Sequence, residues 1–137
     1  MKDAFEKLVH LNHHLGTECA WCKQQTIESF SKHILEEAKE VELAIQQNDA
    51  DELREELGDL LYNIIFLTRI AEKDSLFTMK DILDGAHQKI CGRHKHVFEE
   101  KTDNLDRIWE LYHEVKAKEK EEKLKRVKRP IFPNTTP

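Results

Sequence analysis

No proline occurs before residue 130, and only four glycines punctuate the 137 residues. A chain with so few breakers lacks the closely spaced turns of an all-β fold and permits long uninterrupted helices. Charged residues make up 36%, enough to solvate one face of every helix. The expected fold is therefore all-α, a bundle of about five helices.

Apolar spacing places those helices. Phe5, Leu8, Val9 and Leu11 predict a first helix over 2–15, ended by Gly16 as a C-cap, with a loop over 16–25 that holds Cys19, Trp21 and Cys22. Ile27, Phe30, Ile34, Ala38, Val41 and Ile45 predict a second over 26–47. After a turn at 48–51 with N-cap chemistry, a third helix is expected over 51–72. Its stripe is Leu53, Leu57, Leu60, Leu61, Ile64 and Ala71, and a second line of Asp59, Tyr62, Asn63 and Phe66 lies on the other side. A helix apolar on both sides is covered twice, by its own domain and by a partner subunit, so a homodimer or a dimer of dimers is expected. Thr78 caps a fourth helix over 79–98, with Ile82, Leu83, Ala86 and Ile90 facing inward. A fifth begins at Leu105, carries Ile108, Trp109, Tyr112 and Val115, and becomes a solvated run over 116–128. Residues 129–137 read as an extended or disordered tail.

The net charge of −5 argues against a stable nucleic-acid partner, because such proteins carry excess cations to displace counterions from phosphate. Acidic residues concentrate over 36–59 and basic ones over 116–129. Three cysteines, an odd number, and no apolar leader point to a reducing cytoplasm rather than a disulfide framework. No run approaches the ~20 apolar residues of a membrane span.

The pattern that carries chemistry is Glu36-Glu37-x-x-Glu40 on the second helix, followed by Glu56-x-x-Asp59 on the third. A spacing of three puts two carboxylates on one face of each helix, and a short connection makes the helices antiparallel neighbours whose pairs can converge. Converging carboxylates repel one another unless a cation sits among them, and a hard oxygen cage suits Mg²⁺ or Mn²⁺. A single Glu pair at this spacing is ordinarily a solvated face; the second pair, with Asp59 among leucines, lifts the pattern above that reading. Glu36 falls nearly opposite the apolar stripe, unlike Glu37 and Glu40. Lys89 and Arg93, four apart on the fourth helix, share a face and offer positive charge for phosphate oxygens.

These segments, in order, resemble the MazG nucleotide pyrophosphohydrolases: Cys19-Ala-Trp-Cys-Lys-Gln-Gln-Thr26, Leu35-Glu-Glu-Ala-Lys-Glu-Val41, Glu55-Glu-Leu-Gly-Asp-Leu-Leu61 and Lys89-x-x-x-Arg93-His-Lys-His-Val-Phe98. The likeness extends over residues 15–122, including Trp109-Glu and Lys116-Ala-Lys-Glu-Lys120, which makes 1–122 the expected domain and 123–137 a basic tail. The resemblance implies Glu37, Glu40, Glu56 and Asp59 as magnesium ligands and Lys89 and Arg93 as phosphate-binding residues. It implies cleavage of a nucleoside triphosphate between the α and β phosphates, giving monophosphate and pyrophosphate. Glu36 or another unliganded carboxylate is the candidate acceptor of the attacking water's proton. Trp21 and Trp109 offer faces for base stacking, the alternative for each being core or interface filling.

The family's Cys-Pro-Trp-Asp reads Cys19-Ala20-Trp21-Cys22, and its Arg-His-Pro-His reads Arg93-His94-Lys95-His96. Two prolines and an acidic residue are thereby lost from the loops, while the expected metal ligands are untouched. The new Cys-x-x-Cys raises a zinc site with His13, His14, Cys91 or His94 as an alternative use of these thiols. A non-catalytic helical interaction module and a deoxynucleotide diphosphatase are the competing functional readings.

Overall fold

The computed structural model describes residues 1–132, and among these helix is the sole regular structure: α1 (Lys2–Glu18), α2 (Ala20–Gln24), α3 (Ile27–Gln46), α4 (Ala50–Lys73), α5 (Met79–Arg93), α6 (Lys95–Phe98) and α7 (Leu105–Lys125). They form two compact units, residues 1–79 and the residues from 80 onward. No helix among the described residues is long and apolar enough to cross a membrane.

The first unit is built on the α3–α4 hairpin. Thr26 caps α3 in a reciprocal box with Ser29, each side chain accepting from the other's backbone N–H. Asp49 caps α4 by accepting from the N–H groups of Asp51 and Glu52. Asn48 supplies the left-handed residue, φ 57°, that turns the chain between them. The register of the hairpin is fixed where Phe30 stacks on Phe66 at 4.1 Å and Asn63 Nδ2 donates to the His33 carbonyl at 3.2 Å. Stepping up α3 is matched by stepping back along α4, so His33 and Asn63 stand one turn from Glu37 and Asp59 respectively.

That register corrects which sides face inward. On α3 the buried line runs through Phe30 and Ala44, with Ile34, Glu37 and Val41 half-buried between them, whereas Ala38 and Ile45 are exposed. On α4 the row toward α3 is the expected second line, through Asn63 and Phe66, continued by buried Ile70. Leu57, Leu61 and Ile64, from the first expected stripe, form an exposed apolar row at i, i+4, i+7.

Gly16 does not end α1. The helix continues to Glu18, and Gly16 provides the space in which the Arg69 guanidinium lies: a Cβ there would meet Arg69 Nη1 at 2.5 Å. Arg69 is held by Asn12, 0% exposed, whose Oδ1 accepts from Nε at 2.8 Å, and by the Phe66 ring 4.8 Å beneath its Cζ. The segment expected as a loop folds instead into α2, with Cys19 at its N-cap. Cys22 joins Phe30, Phe66 and Ile70 in the core, with Leu15, Ile27 and Tyr62 packed around them.

In the second unit the helix expected over 79–98 breaks at His94, giving α5 and α6. Leu83 and Ile90, expected inward, are half exposed, because the unit has little apolar surface to offer them and only Leu111 is buried among its described residues. Arg107 ties the start of α7 to the turn before it, pairing with Glu100 at 2.8 Å, Glu110 at 3.1 Å and Glu114 at 3.5 Å. The run from 116 onward is solvated as expected, with half-buried Glu119 the exception. Residues 129–132 carry no helix, and the rest of the expected tail, 133–137, lies outside the described residues.

Candidate functional site

Three of the expected carboxylates converge. One oxygen from each of Glu37, Glu56 and Asp59 lies within 4.8 Å of the others. The hairpin register explains this: Glu37 occupies a core-line position of α3, which carries its carboxylate into the α3–α4 seam, and Asp59 stands across from it. Glu37 and Glu56 are half-buried and Asp59 is exposed, so Asp59 is not the buried charge among leucines that its neighbours suggested. Glu40 lies one turn further along α3, exposed and outside the trio. Glu36 points elsewhere, with Oε2 3.1 Å from His33 Nδ1.

Glu52 belongs to the cluster and was missed from sequence. It hydrogen bonds to Glu56, and the i, i+4 spacing of two Glu on one helix face was the available signal. Desolvation, that hydrogen bond and the negative charges of Glu52, Glu37 and Asp59 together push Glu56 up from the usual 4.5 to about 7. No Lys or Arg pairs with the trio among the described residues. Hard oxygen donors in this crowding fit a divalent cation, whose charge would relieve the repulsion.

Beside the carboxylates lies an aromatic wall. Trp21, 52% exposed, presents its ring edge-on to His33 at 6.0 Å and to Phe30 at 6.5 Å, and stands 6.1 Å from Phe66. His33 sits one α3 turn before Glu37, so the Trp21 wall and the carboxylates share the same end of the hairpin seam. About half of the Trp21 surface is left open to solvent.

The expected phosphate-binding residues lie in the second unit. Arg93 is engaged by Glu119 through two nitrogens, Nη2 at 2.9 Å and Nε at 3.1 Å, which lowers the Glu119 carboxyl below its usual range and raises Arg93. Lys89 opens onto a surface cavity of about 410 Å³ with Gln88, Glu122, Lys123 and Arg126. Trp109, 59% exposed, stacks on His113 at 5.9 Å and meets Tyr112 edge-on at 5.8 Å. Glu119 was the residue sequence reasoning missed here, hidden in a run that reads as solvated charge.

The class this arrangement defines is an all-α protein with a carboxylate centre between two antiparallel helices. A family model described as the MazG nucleotide pyrophosphohydrolase domain matches residues 25–98, and the chain belongs to that family. The chain is 35% identical over 128 residues to the nucleoside triphosphate pyrophosphohydrolase/pyrophosphatase MazG of Thermotoga maritima, covering 90% of this chain and 49% of that protein. It is 35% identical over 106 residues to the nucleoside triphosphate pyrophosphohydrolase of Escherichia coli K12, covering 77% of this chain and 40% of that one. The chain thus spans about half the length, or less, of these relatives. Among solved structures, a mazG-related protein from Thermotoga maritima superposes with a TM-score of 0.73 at 26% identity, covering 82% of this chain and 98% of that one.

Proposed function

We propose that this chain hydrolyses nucleoside or deoxynucleoside triphosphates to the monophosphate and pyrophosphate with Mg²⁺, Mn²⁺ being an alternative. The observation that carries the reading is the convergence of Glu37, Glu56 and Asp59 within 4.8 Å, on two of the segments through which the chain resembles its family. These three residues hold the cation, and Glu40, whose register position is across from Glu56, completes the set. When bound, the cation supplies Lewis acidity toward the phosphate oxygens and the attacking water. Glu52 accepts the water's proton, in preference to Glu36, which is engaged with His33.

Trp21 stacks on the nucleobase, and its sequence-tolerant π face accepts any base. Lys89 and Arg93 bind phosphate oxygens, Arg93 by exchanging Glu119 for a phosphate, and Trp109 is the second stacking candidate. The exposed Leu57, Leu61 and Ile64 row on α4 packs against a second copy, giving a homodimer or a dimer of dimers. Residues 1–122 are the working domain and 123–137 a basic tail, in a protein of the cytoplasm.

The test is to incubate the purified protein with each common NTP and dNTP, with and without Mg²⁺, and to identify products by chromatography. Metal-dependent monophosphate plus pyrophosphate supports the reading. Activity on deoxynucleoside diphosphates alone would reassign the chain as a diphosphatase. Silence across the panel from a folded, magnesium-replete protein would overturn the enzymatic reading in favour of an interaction module.

A further inference from the structure

We propose that Cys19 and Cys22 form a redox-modification site, in which a partly exposed thiol and a buried resolving thiol are converted to an intramolecular disulfide by a low-molecular-weight disulfide such as oxidised glutathione. The geometry is already drawn in. Cys19 is the N-cap of α2, and its Sγ accepts from the Cys22 backbone N–H at 3.4 Å, so the sulfur is folded back over the turn that carries Cys22. A helical i, i+3 separation puts the Cα atoms about 5 Å apart, inside the range a disulfide spans.

The two thiols are unequal in the way such a pair requires. Cys22 is 7% exposed among Phe30, Phe66 and Ile70, and burial pushes its thiol up. Cys19 is partly exposed, and the hydrogen bonds it receives from Cys22 draw its thiol down. The zinc alternative finds no support: among the described residues the one group of three metal-ligating side chains is the carboxylate trio. The remaining thiol, Cys91, lies on α5 with Sγ 3.8 Å from His87 Nε2.

The exchange balances without further reactants. The Cys19 thiolate attacks one sulfur of the low-molecular-weight disulfide, forming a mixed disulfide and expelling one thiolate. Cys22 then loses its proton and attacks Cys19 Sγ, expelling the second thiolate, so two protein thiols are oxidised and one disulfide is reduced to two thiols. Trp21 stands between the two cysteines, and closing the bond fixes the turn that holds its ring against His33 and Phe66.

The test equilibrates the full-length protein in a series of glutathione redox buffers, quenches with acid, alkylates free thiols and maps peptides by mass. The expected result is a linked Cys19–Cys22 segment two hydrogens lighter, with Cys91 still alkylated. Cys22→Ala halts at a glutathione adduct on Cys19. In Trp109→Phe, where Trp21 is the remaining tryptophan, its emission changes on oxidation and recovers with dithiothreitol. Full alkylation of both cysteines under excess oxidised glutathione would overturn the proposal. So would a Cys19 adduct that persists in the wild-type protein as it does in Cys22→Ala.

Discussion

Replacing Gly16 by alanine is expected to reverse the usual sign of that substitution. In a helix interior Gly→Ala stabilises by about 1 kcal/mol through propensity alone. Here the added methyl would sit 2.5 Å from Arg69 Nη1 and 2.6 Å from its Cζ, so the guanidinium must leave. The side chain is flexible, but it is anchored by the 2.8 Å bond to buried Asn12 and by the Phe66 face. Losing a charge-assisted bond to a buried acceptor costs about 1.5–3 kcal/mol, and the ring contact adds about 0.5–1. Set against the propensity gain, Gly16→Ala should destabilise by about 2 kcal/mol. In an Arg69→Ala background the three atoms nearest the methyl are gone, and the same change should stabilise by about 1 kcal/mol. Urea unfolding measures both: with a slope of about 1–3 kcal/mol per M, the midpoint falls by roughly 1 M in the first case and rises in the second. Stabilisation by Gly16→Ala in both backgrounds would refute the account of α1 and α4 packing.

Other expectations follow from the site. Glu56 titrates near 7 when folded and near 4.5 when unfolded, so its contribution to metal-free stability is full below about pH 4.5 and lost as pH rises through 7. Thermal midpoints should accordingly fall across that window, and Glu56→Gln should flatten that fall and raise the midpoint at pH 8. Asp49→Ala removes the cap of the helix that carries Glu56 and Asp59 and should cost about 1 kcal/mol by urea unfolding. If Arg93 binds phosphate by leaving Glu119, then Glu119→Gln should lower KM for a triphosphate and Arg93→Ala should raise it; equal, same-sign changes in KM would assign the pair a structural role.

The helices themselves were legible because breakers are scarce and caps are explicit: Thr26 and Asp49 sit where α3 and α4 begin. The N-terminal segment was not. A glycine followed by polar residues reads as a C-cap, and nothing in local sequence reports an arginine 53 positions away that needs the glycine's missing side chain. The inward side of α4 was also ambiguous, since period alone cannot rank two apolar faces; the polar hydrogen bond from Asn63 and the Phe30–Phe66 stack decide it. The same blindness hid Glu37 in the core line of α3, because an apolar stripe is drawn through apolar residues and steps around a carboxylate. Pair spacing and the family resemblance brought Glu37, Glu56 and Asp59 forward, whereas Glu52 escaped because its role appears only once Glu56 is crowded. Nor does the sequence report that Trp21 and Trp109 are both more than half exposed.

If the carboxylates in the α3–α4 seam hold the cation, turnover depends on them and on Mg²⁺ together. The most direct measurement is the rate of monophosphate formation against Mg²⁺ concentration for the wild-type protein and Asp59→Asn, with the fold of each checked by circular dichroism and thermal midpoint. A saturable Mg²⁺ dependence is expected in the wild type and a loss of about a hundredfold in the variant, whose thermal midpoint is unchanged or raised because repulsion is relieved. A folded Asp59→Asn protein that turns over at the wild-type rate, or wild-type turnover indifferent to Mg²⁺, would contradict it.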